Sequence, residues 1–222
     1  MPLIRHNDKI VFFVHIPKTG GTSVEDALTD AGASVALRAG SRFEGFMKTT
    51  FQHLHADIYT AAIPQEFYDY GFAIVRHPVT RLISEYFYRK RRGLAKMDFD
   101  SWVNKVLDGY EKNPYILDNH LRPQVDFIAD GIEVFHIEDG IDKPLAQVTD
   151  LLGLTLADMN PHSNRRKKKK GVTWTAATRD RMLAFYAADF TRFGYDPHED
   201  IDLVQIGPSD VLNLIWRKPS II

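Results

Sequence analysis

The chain has 222 residues, 44% of them hydrophobic and 26% charged, so it can bury the core of one globular domain. Its formal net charge of −1 excludes a global attraction to nucleic acid or anionic lipid, and any anion-binding site must therefore be local. The absence of cysteine excludes disulfides, thiolate metal ligands and cysteine nucleophiles.

The first predicted unit is a buried strand followed by a helix. Residues 10–16 read IVFFVHI, an apolar run typical of a strand that is buried on both faces. Pro17 ends this strand, and a turn at 18–21 leads into a helix predicted from about Thr22 to Ala31. The pattern is that of a strand joined to a helix by a glycine-containing turn.

Strands and helices continue to alternate along the chain. Pro78 suits the first turn of a helix because its fixed φ is compatible with that position. This alternation predicts parallel strand pairing and an α/β fold. The remaining predicted elements are strands at 72–75 and 132–137 and helices at 79–92, 99–110, 119–129, 141–152 and about 182–193.

The turn after the first strand has the composition of an anion site. Backbone N–H groups and the positive end of the helix dipole attract anions at the start of a helix, and glycines let the backbone approach them closely. A lysine adds a mobile positive charge, and hydroxyl side chains add hydrogen-bond donors. The residues that form this candidate site are Lys18, Thr19, Gly20, Gly21, Thr22 and Ser23.

This loop differs from that of a nucleoside triphosphatase. The pattern G-x-x-x-x-G-K-[ST] places the lysine after the glycines, whereas Lys18 precedes Gly20. We therefore predict a P-loop-like three-layer fold, with a mostly parallel central sheet flanked by helices. A purely structural alternative is a capping box formed by Thr22 and Glu25.

A second polar loop follows the second predicted strand. Arg76 lies where the strand ends and the next helix begins, and Ser84 lies two turns along that helix. A guanidinium and a hydroxyl that converge near a helix start suit a phosphate. Arg81, Ser84 and Tyr88 share one face of the helix. A surface arginine and a helix-face serine without a ligand are the alternative.

Together the two loops resemble those of the sulfotransferases that use 3′-phosphoadenosine 5′-phosphosulfate (PAPS). FVHIPKTGGTS at 13–23 is similar to the family's 5′-phosphosulfate loop, closest to the branch with carbohydrate sulfotransferases and bacterial relatives. FAIVRHP at 72–78, with Ser84, is similar to its 3′-phosphate site. Weaker similarity extends over most of residues 10–196. We expect residues 1–196 to form one domain, followed by a C-terminal tail.

The resemblance implies transfer of a sulfuryl group from PAPS to an acceptor hydroxyl. By family-level analogy the acceptor is a saccharide, and a lipid or a small metabolite is equally open. Residues 18–23 would hold the 5′-phosphosulfate, with Lys18 catalytic at the leaving oxygen, while Arg76 and Ser84 would hold the 3′-phosphate. Lys170 and Gly171 loosely resemble an Arg-Lys-Gly segment that relatives use at the 3′-phosphate. The alternative for the basic run 165–170 is a solvated loop or a docking patch for an acidic acceptor.

The reaction needs a base for the acceptor's proton, and an imidazole has a suitable pKa. His55 falls where relatives of this branch often carry a histidine, so it is the predicted catalytic base. His53 is an alternative, and the carboxylates of Asp57 and Glu44 stay open. We predict no metal, because His53 and His55 lack a clear third ligand and the loops already hold the leaving phosphate.

Two other functions fit parts of the sequence. A P-loop kinase or other NTP-dependent transferase would need a magnesium-binding acid, for which Glu138 and Asp139 are candidates. A non-enzymatic polyanion-binding protein would use the basic run 165–170.

The chain shows no sign of a membrane or secretory address. The N-terminus has no apolar stretch of signal-peptide length, and no window approaches about 18 uninterrupted apolar residues. We therefore expect a cytoplasmic protein without a membrane span and without a nucleic-acid partner. The sequence leaves the oligomeric state and the acceptor's identity open.

Overall fold

The computed structural model describes residues 1–38, 47–156 and 171–199, together with the backbone of 204–206. A five-stranded sheet forms the centre. Its strands are Leu3–His6 (β1), Lys9–Val14 (β2), Ser34–Ala36 (β3), Tyr70–Val75 (β4) and Ile132–His136 (β5). Their order is β3-β1-β2-β4-β5; β2, β4 and β5 pair in parallel, and β1 is antiparallel to β2 and β3. The predicted mostly parallel sheet is confirmed, and the first strand and β3 are additions to it.

The helices follow the predicted alternation closely. Pro78 is the first residue of its helix, and Gly153 closes another with left-handed backbone at φ 63°. The predicted last helix divides in two at Tyr186. The helices are Gly21–Asp30 (α1), Ala56–Ala62 (α2), Pro78–Arg91 (α3), Phe99–Lys112 (α4), Asp142–Leu152 (α5), Ala176–Phe185 (α6) and Ala187–Phe193 (α7).

The predicted helix at 119–129 is wrong. Leu117, Asp118 and Asn119 all have left-handed backbone, with φ between 56° and 62°. L-residues in that conformation cannot continue a right-handed helix. Only a short 3₁₀ turn forms afterwards, at Gln124–Phe127. The segment is therefore a tight loop, which allows its polar side chains to face other parts of the fold.

The sheet is covered on both faces. Phe13 and Phe72 pack on one side with apolar residues of α1 and α5. Their neighbours Phe12 and Ala73 point to the opposite side and pack with residues of α2 and α7. Side chains of successive strand residues alternate between the two faces, so a continuous apolar run is what a strand covered on both sides requires. A further apolar cluster joins α3, α4, α6 and α7.

A second, smaller sheet involves part of the expected C-terminal tail. Val172–Trp174 (β6) pairs in parallel with Val204–Ile206 (β7). In the described ranges, no helix is both long enough and apolar enough to cross a bilayer.

Candidate functional site

The first loop makes a tight turn between β2 and α1. Lys18 and Gly20 both have left-handed backbone, at φ 70° and 89°. Thr19 is fully buried, and its hydroxyl donates to the carbonyl oxygen of Ile16 at 2.9 Å. The amide of Ser23 donates to the carbonyl oxygen of Gly20 at 2.9 Å. The hydroxyl of Thr19, one of the predicted anion-binding groups, thus stabilises the loop itself.

The capping-box alternative is wrong. The residue at the N-cap of α1 is Gly20 and not Thr22, and a glycine has no side chain with which to cap the helix. The carboxylate of Glu25 instead bonds Nδ1 of His15, the residue that follows β2. It also accepts from Gln52 Nε2, at 3.0 and 3.1 Å, and from Arg38 Nε at 3.2 Å. Glu25 is therefore the centre of a buried network beneath the loop, leaving the start of α1 without a competing carboxylate.

The second loop meets the first at Arg76. Its Nη1 donates to the carbonyl oxygen of Lys18 at 3.3 Å, and its Nε donates to Thr80 Oγ1 at 2.9 Å. Gln124 fixes the backbone of Arg76: its Oε1 accepts from the Arg76 amide at 2.9 Å, and its Nε2 donates to the Arg76 carbonyl at 2.8 Å. The carboxylate of Asp189 in turn accepts from the backbone amides of Gln124 and Val125 at 2.9 Å. The two predicted phosphate loops are thus one connected structure.

Gln124 is fully buried, so its loss should be measurable. Gln124→Met is expected to lower the free energy of unfolding by about 1–3 kcal/mol, because it leaves buried backbone groups of Arg76 without partners. Chemical denaturation would measure this. The matched control is Gln65→Met at an exposed site, where we expect a change within about 0.5 kcal/mol. Equal small changes at both positions would contradict the role of Gln124.

The other residues of the second loop have different environments. Ser84 is buried on α3, as is Arg81. The guanidinium of Arg81 donates to the carbonyl oxygens of His120 and Arg122, at 3.1 and 2.8 Å, so it supports the loop before the 3₁₀ turn. Arg81 therefore has a structural task, and the role of Ser84 at a phosphate stays a prediction.

Glu138 is a poor candidate for binding magnesium. One carboxylate oxygen accepts from the amide of His77 and the other from the hydroxyl of Tyr195, each at 2.9 Å. Both oxygens are thus engaged within the protein. Of the two acids that the kinase alternative named, Asp139 stays a candidate.

The side chain of Lys18 lies over an aromatic ring. Its Nζ is 4.1 Å from the centroid of Tyr88, a half-buried residue of α3. The guanidinium carbons of Arg92 and Arg89 lie 4.6 and 5.8 Å from the same centroid. Arg89 is paired with the carboxylate of Glu85 at 2.6 Å, whereas Lys18 and Arg92 place two positive charges at one ring, and an anion beside these two would relieve their repulsion. Tyr88 therefore marks a second part of a positively charged site next to the first loop.

A group of three imidazoles, two of them buried and one partly buried, lies beside this charged site. The ring of His120 stacks on Tyr88 with centroids 6.1 Å apart, and the ring of His53 meets His120 edge to face at 4.8 Å. On its other side His53 meets His15 at 5.4 Å. Each imidazole has a carboxylate at Nδ1: Glu25 for His15, Asp118 for His53 and Glu85 for His120. We call the three histidines and their three carboxylate partners the imidazole cluster.

Burial keeps these imidazoles neutral near pH 7. It lowers the pKa values of His15 and His53 from their ordinary value, against the opposing effect of their carboxylates. For His120 burial lowers the pKa to about 4. The cluster therefore consists of neutral bases, each oriented by an acid.

His55, the predicted base, lies outside this cluster. It precedes α2 and is buried, and its Nδ1 has no hydrogen-bond partner among the described residues. Its Nε2 is 3.9 Å from Asp57, an exposed residue. Its ring contacts Tyr115, with centroids 5.7 Å apart, and burial lowers its pKa. His55 and His53 thus face different surroundings despite being two residues apart.

Three residues of the cluster carry atoms that can bind a metal ion. Ligand atoms of His53, Asp118 and His120 lie within 4.8 Å of each other. The oxygens of Asp118, however, already accept four hydrogen bonds: from Thr49 Oγ1, from the amide and hydroxyl of Thr50, and from His53. A cation would have to replace these donors, so the geometry favours a hydrogen-bonded network over a metal site.

Some predicted residues cannot be placed in this site. Lys170, the basic run 165–170 and Glu44 lie outside the described residues. Gly171 lines a surface cleft of about 240 Å³ together with Tyr86, Lys90 and Phe99. This cleft lies along α3, the helix that also carries Ser84 and Tyr88.

Sequence reasoning missed Asp118, His120 and Tyr88 as members of one site. The polar run Asp118-Asn119-His120 was a usable signal, because polar residues just before a proline-containing segment indicate a loop. Assigning a helix from Asn119 onward concealed it. Nothing local in the sequence pairs these residues with His53, since their contacts join segments about 65 residues apart.

Comparisons with known proteins place the chain in a family. A family model described as the sulfotransferase family matches residues 2–196. No curated protein matches the chain. The chain is similar to the crystal structure of a sulfotransferase from Alicyclobacillus acidocaldarius, with 18% sequence identity and a TM-score of 0.38, and the match covers 64% of this chain and 59% of that one. The chain thus spans less than two thirds of that protein, and the family assignment depends on the match over residues 2–196.

Proposed function

This chain belongs to the sulfotransferase family, and we propose that it moves a sulfuryl group from PAPS to an acceptor hydroxyl. The observation that carries the proposal is the contact between the two loops, in which Arg76 Nη1 donates to the carbonyl oxygen of Lys18 at 3.3 Å. One donor with anionic groups at two ends would be held by two loops that are joined in this way. We further propose a P-loop-like fold for the domain, which the strand, glycine turn and helix at 9–30 support.

The residues present fit a donor with several negative charges. Lys18 and Arg92 place positive charge around Tyr88, and the first turn of α1 contains no acidic residue. Free N–H groups at a helix start bind phosphate or sulfate oxygens. In this proposal, residues 18–23 bind the 5′-phosphosulfate, and Arg76, Ser84, Lys170 and Gly171 bind the 3′-phosphate.

The chain's own groups would supply the chemistry. Lys18 would neutralise the charge that develops on the oxygen between sulfur and the 5′-phosphate as their bond breaks. A base would take the proton from the acceptor hydroxyl, a role that the sequence prediction gives to His55. No metal is required in this scheme, because the charge of the leaving group is met by side chains and helix N–H groups.

We propose a saccharide as the acceptor at the family level. The resemblance of residues 13–23 to the branch with carbohydrate sulfotransferases supports this proposal. The ring of Tyr88 is not offered as a sugar platform, because His120 stacks on it and Lys18 lies over it. Assays with labelled PAPS and a panel of saccharides, lipids and metabolites would identify the acceptor.

Nucleotide binding tests the donor assignment directly. We expect PAPS and its product, 3′-phosphoadenosine 5′-phosphate (PAP), to raise the melting temperature in the presence of a chelator, because a ligand that binds only the folded state stabilises it. Differential scanning fluorimetry would measure this. Adenosine 5′-phosphosulfate, which lacks the 3′-phosphate, should stabilise the protein less. Stronger stabilisation by ATP with magnesium would replace the proposal with the kinase alternative.

A further inference from the structure

The three acid–imidazole pairs of the cluster differ in what else holds the carboxylate. Glu25 also binds the guanidinium of Arg38 at 3.2 Å, and Glu85 binds that of Arg89 at 2.6 Å. These two carboxylates therefore share their negative charge with a permanent cation. Asp118 is held differently, by the hydroxyls of two threonines and one backbone amide.

Among the described contacts, Asp118 is the one carboxylate of the cluster with no guanidinium partner. Its other donors are neutral, so its full negative charge stays available to His53, whose Nδ1 lies 2.8 Å from Asp118 Oδ2. Burial alone would raise the pKa of Asp118, but hydrogen bonds from His53, Thr49 and the Thr50 amide hold that pKa well below its usual range. Asp118 is thus ionised, and its negative charge can stabilise a positive charge on His53.

The same hydrogen bond fixes which nitrogen of His53 is basic. A neutral imidazole carries one proton, and an ionised carboxylate at Nδ1 holds that proton there. Nε2 is then left with the lone pair. The side chain of His53 is 10% exposed, so a small opening to the surface exists although the ring is largely buried.

His53 lies between the first loop, at 18–23, and the ring of Tyr88 beneath Lys18. It contacts His15, whose ring lies against the start of α1, and His120, whose ring stacks on Tyr88. Tyr88 in turn lies under Lys18 Nζ. His55, by contrast, lies beside Tyr115 and has no carboxylate at its Nδ1 in the described structure.

We propose that His53 is the general base of the reaction and that Asp118 is the residue that positions it. This inference depends on the proposed sulfuryl transfer. The acceptor O–H bond breaks, and its proton passes to Nε2 of His53. The acceptor oxygen forms a bond to the donor's sulfur, and the bond from sulfur to the 5′-phosphate oxygen breaks, with its electron pair staying on that oxygen. PAP leaves, and the imidazolium at His53 is stabilised by Asp118 until it returns the proton to solvent.

His53→Asn and His55→Asn form a matched pair of variants for this test. His53→Asn is expected to lower kcat by about 10²–10⁴-fold, as for the loss of a general base, whereas His55→Asn should lower it less than tenfold. The dissociation constant for PAP, measured by calorimetry, should stay within about threefold of the wild-type value in both. If the wild-type protein does not bind PAP, the proposed function itself is rejected.

Asp118→Asn separates positioning from mere structural support. At pH 8, where His53 is already neutral, it should lower kcat about tenfold or more while PAP affinity and KM change little. The ¹⁵N shifts of the His53 ring should report a proton on Nδ1 in the wild type and a mixture of tautomers in the variant. The titratable groups that face this ring are Asp118, His15 and the amino terminus, together with His120, whose ring meets it edge to face. Glu85→Gln is the control, because it removes the carboxylate of the neighbouring His120; it should leave the tautomer of His53 unchanged.

Two results would overturn the inference. An active His53→Asn variant beside an inactive His55→Asn variant, both binding PAP normally, would return the base to His55. A wild-type His53 ring protonated at Nε2 would show that Asp118 does not set the tautomer.

Discussion

Replacing Lys18 by methionine or alanine is expected to lower kcat by about 10²–10³-fold, the usual effect of removing one group that stabilises developing charge. The affinity for PAP should fall much less, because the charge that Lys18 neutralises is largest in the transition state. Its Nζ lies over Tyr88, at 4.1 Å from the ring centroid. Initial rates and calorimetric PAP titration would separate the two effects.

Two controls make this expectation specific to Lys18. Lys48 also lies over a tyrosine ring, at 5.1 Å from the centroid of Tyr115, and Lys48→Ala should change kcat less than threefold. Arg76→Ala should instead weaken PAP binding by about 1.5–3 kcal/mol, the range for a hydrogen bond to a charged group. Equal binding losses with unchanged turnover in the Lys18 and Arg76 variants would contradict the division of roles.

The sequence was sufficient for the parts of the fold that repeat a simple pattern. The apolar run before Pro17 predicted β2, and Pro78 marked the first residue of α3, because both signals act through neighbouring residues. The two loops at Lys18 and Arg76 were recognisable for the same reason. Each joins a buried strand to a helix within a few residues.

The imidazole cluster was beyond that kind of reasoning. The hydrogen bond between His53 and Asp118 joins distant segments. Asp and Asn favour the left-handed backbone found at Asp118 and Asn119, but that preference does not tell which residue the loop will meet. The sequence also offered Glu25 a plausible local partner, Thr22, whereas the fold gives it His15. Long-range pairing of polar groups follows from how the strands and loops meet, and a single sequence does not reveal it.

Gly21 gives a case in which sequence and structure predict opposite signs. It is the first residue of α1, where alanine would ordinarily stabilise the helix by up to about 1 kcal/mol. A Cβ at this position would lie 2.7–2.8 Å from three atoms of the His15 ring. That ring is buried and bonded to Glu25, so it has little freedom to move. Gly21→Ala is therefore expected to destabilise the fold by about 1–3 kcal/mol, as overpacking of a buried site does.

The same variant should also disturb donor binding, because the atoms that must shift belong to the start of α1. We expect PAP affinity to fall more than tenfold, which calorimetry would measure alongside the free energy of unfolding. A double-mutant cycle with His15→Ala tests the cause. If the clash is responsible, Gly21→Ala should cost little further stability once the ring has been removed, although His15→Ala itself leaves Glu25 without one partner. Stabilisation by Gly21→Ala in both backgrounds would mean that the loop is not packed against His15.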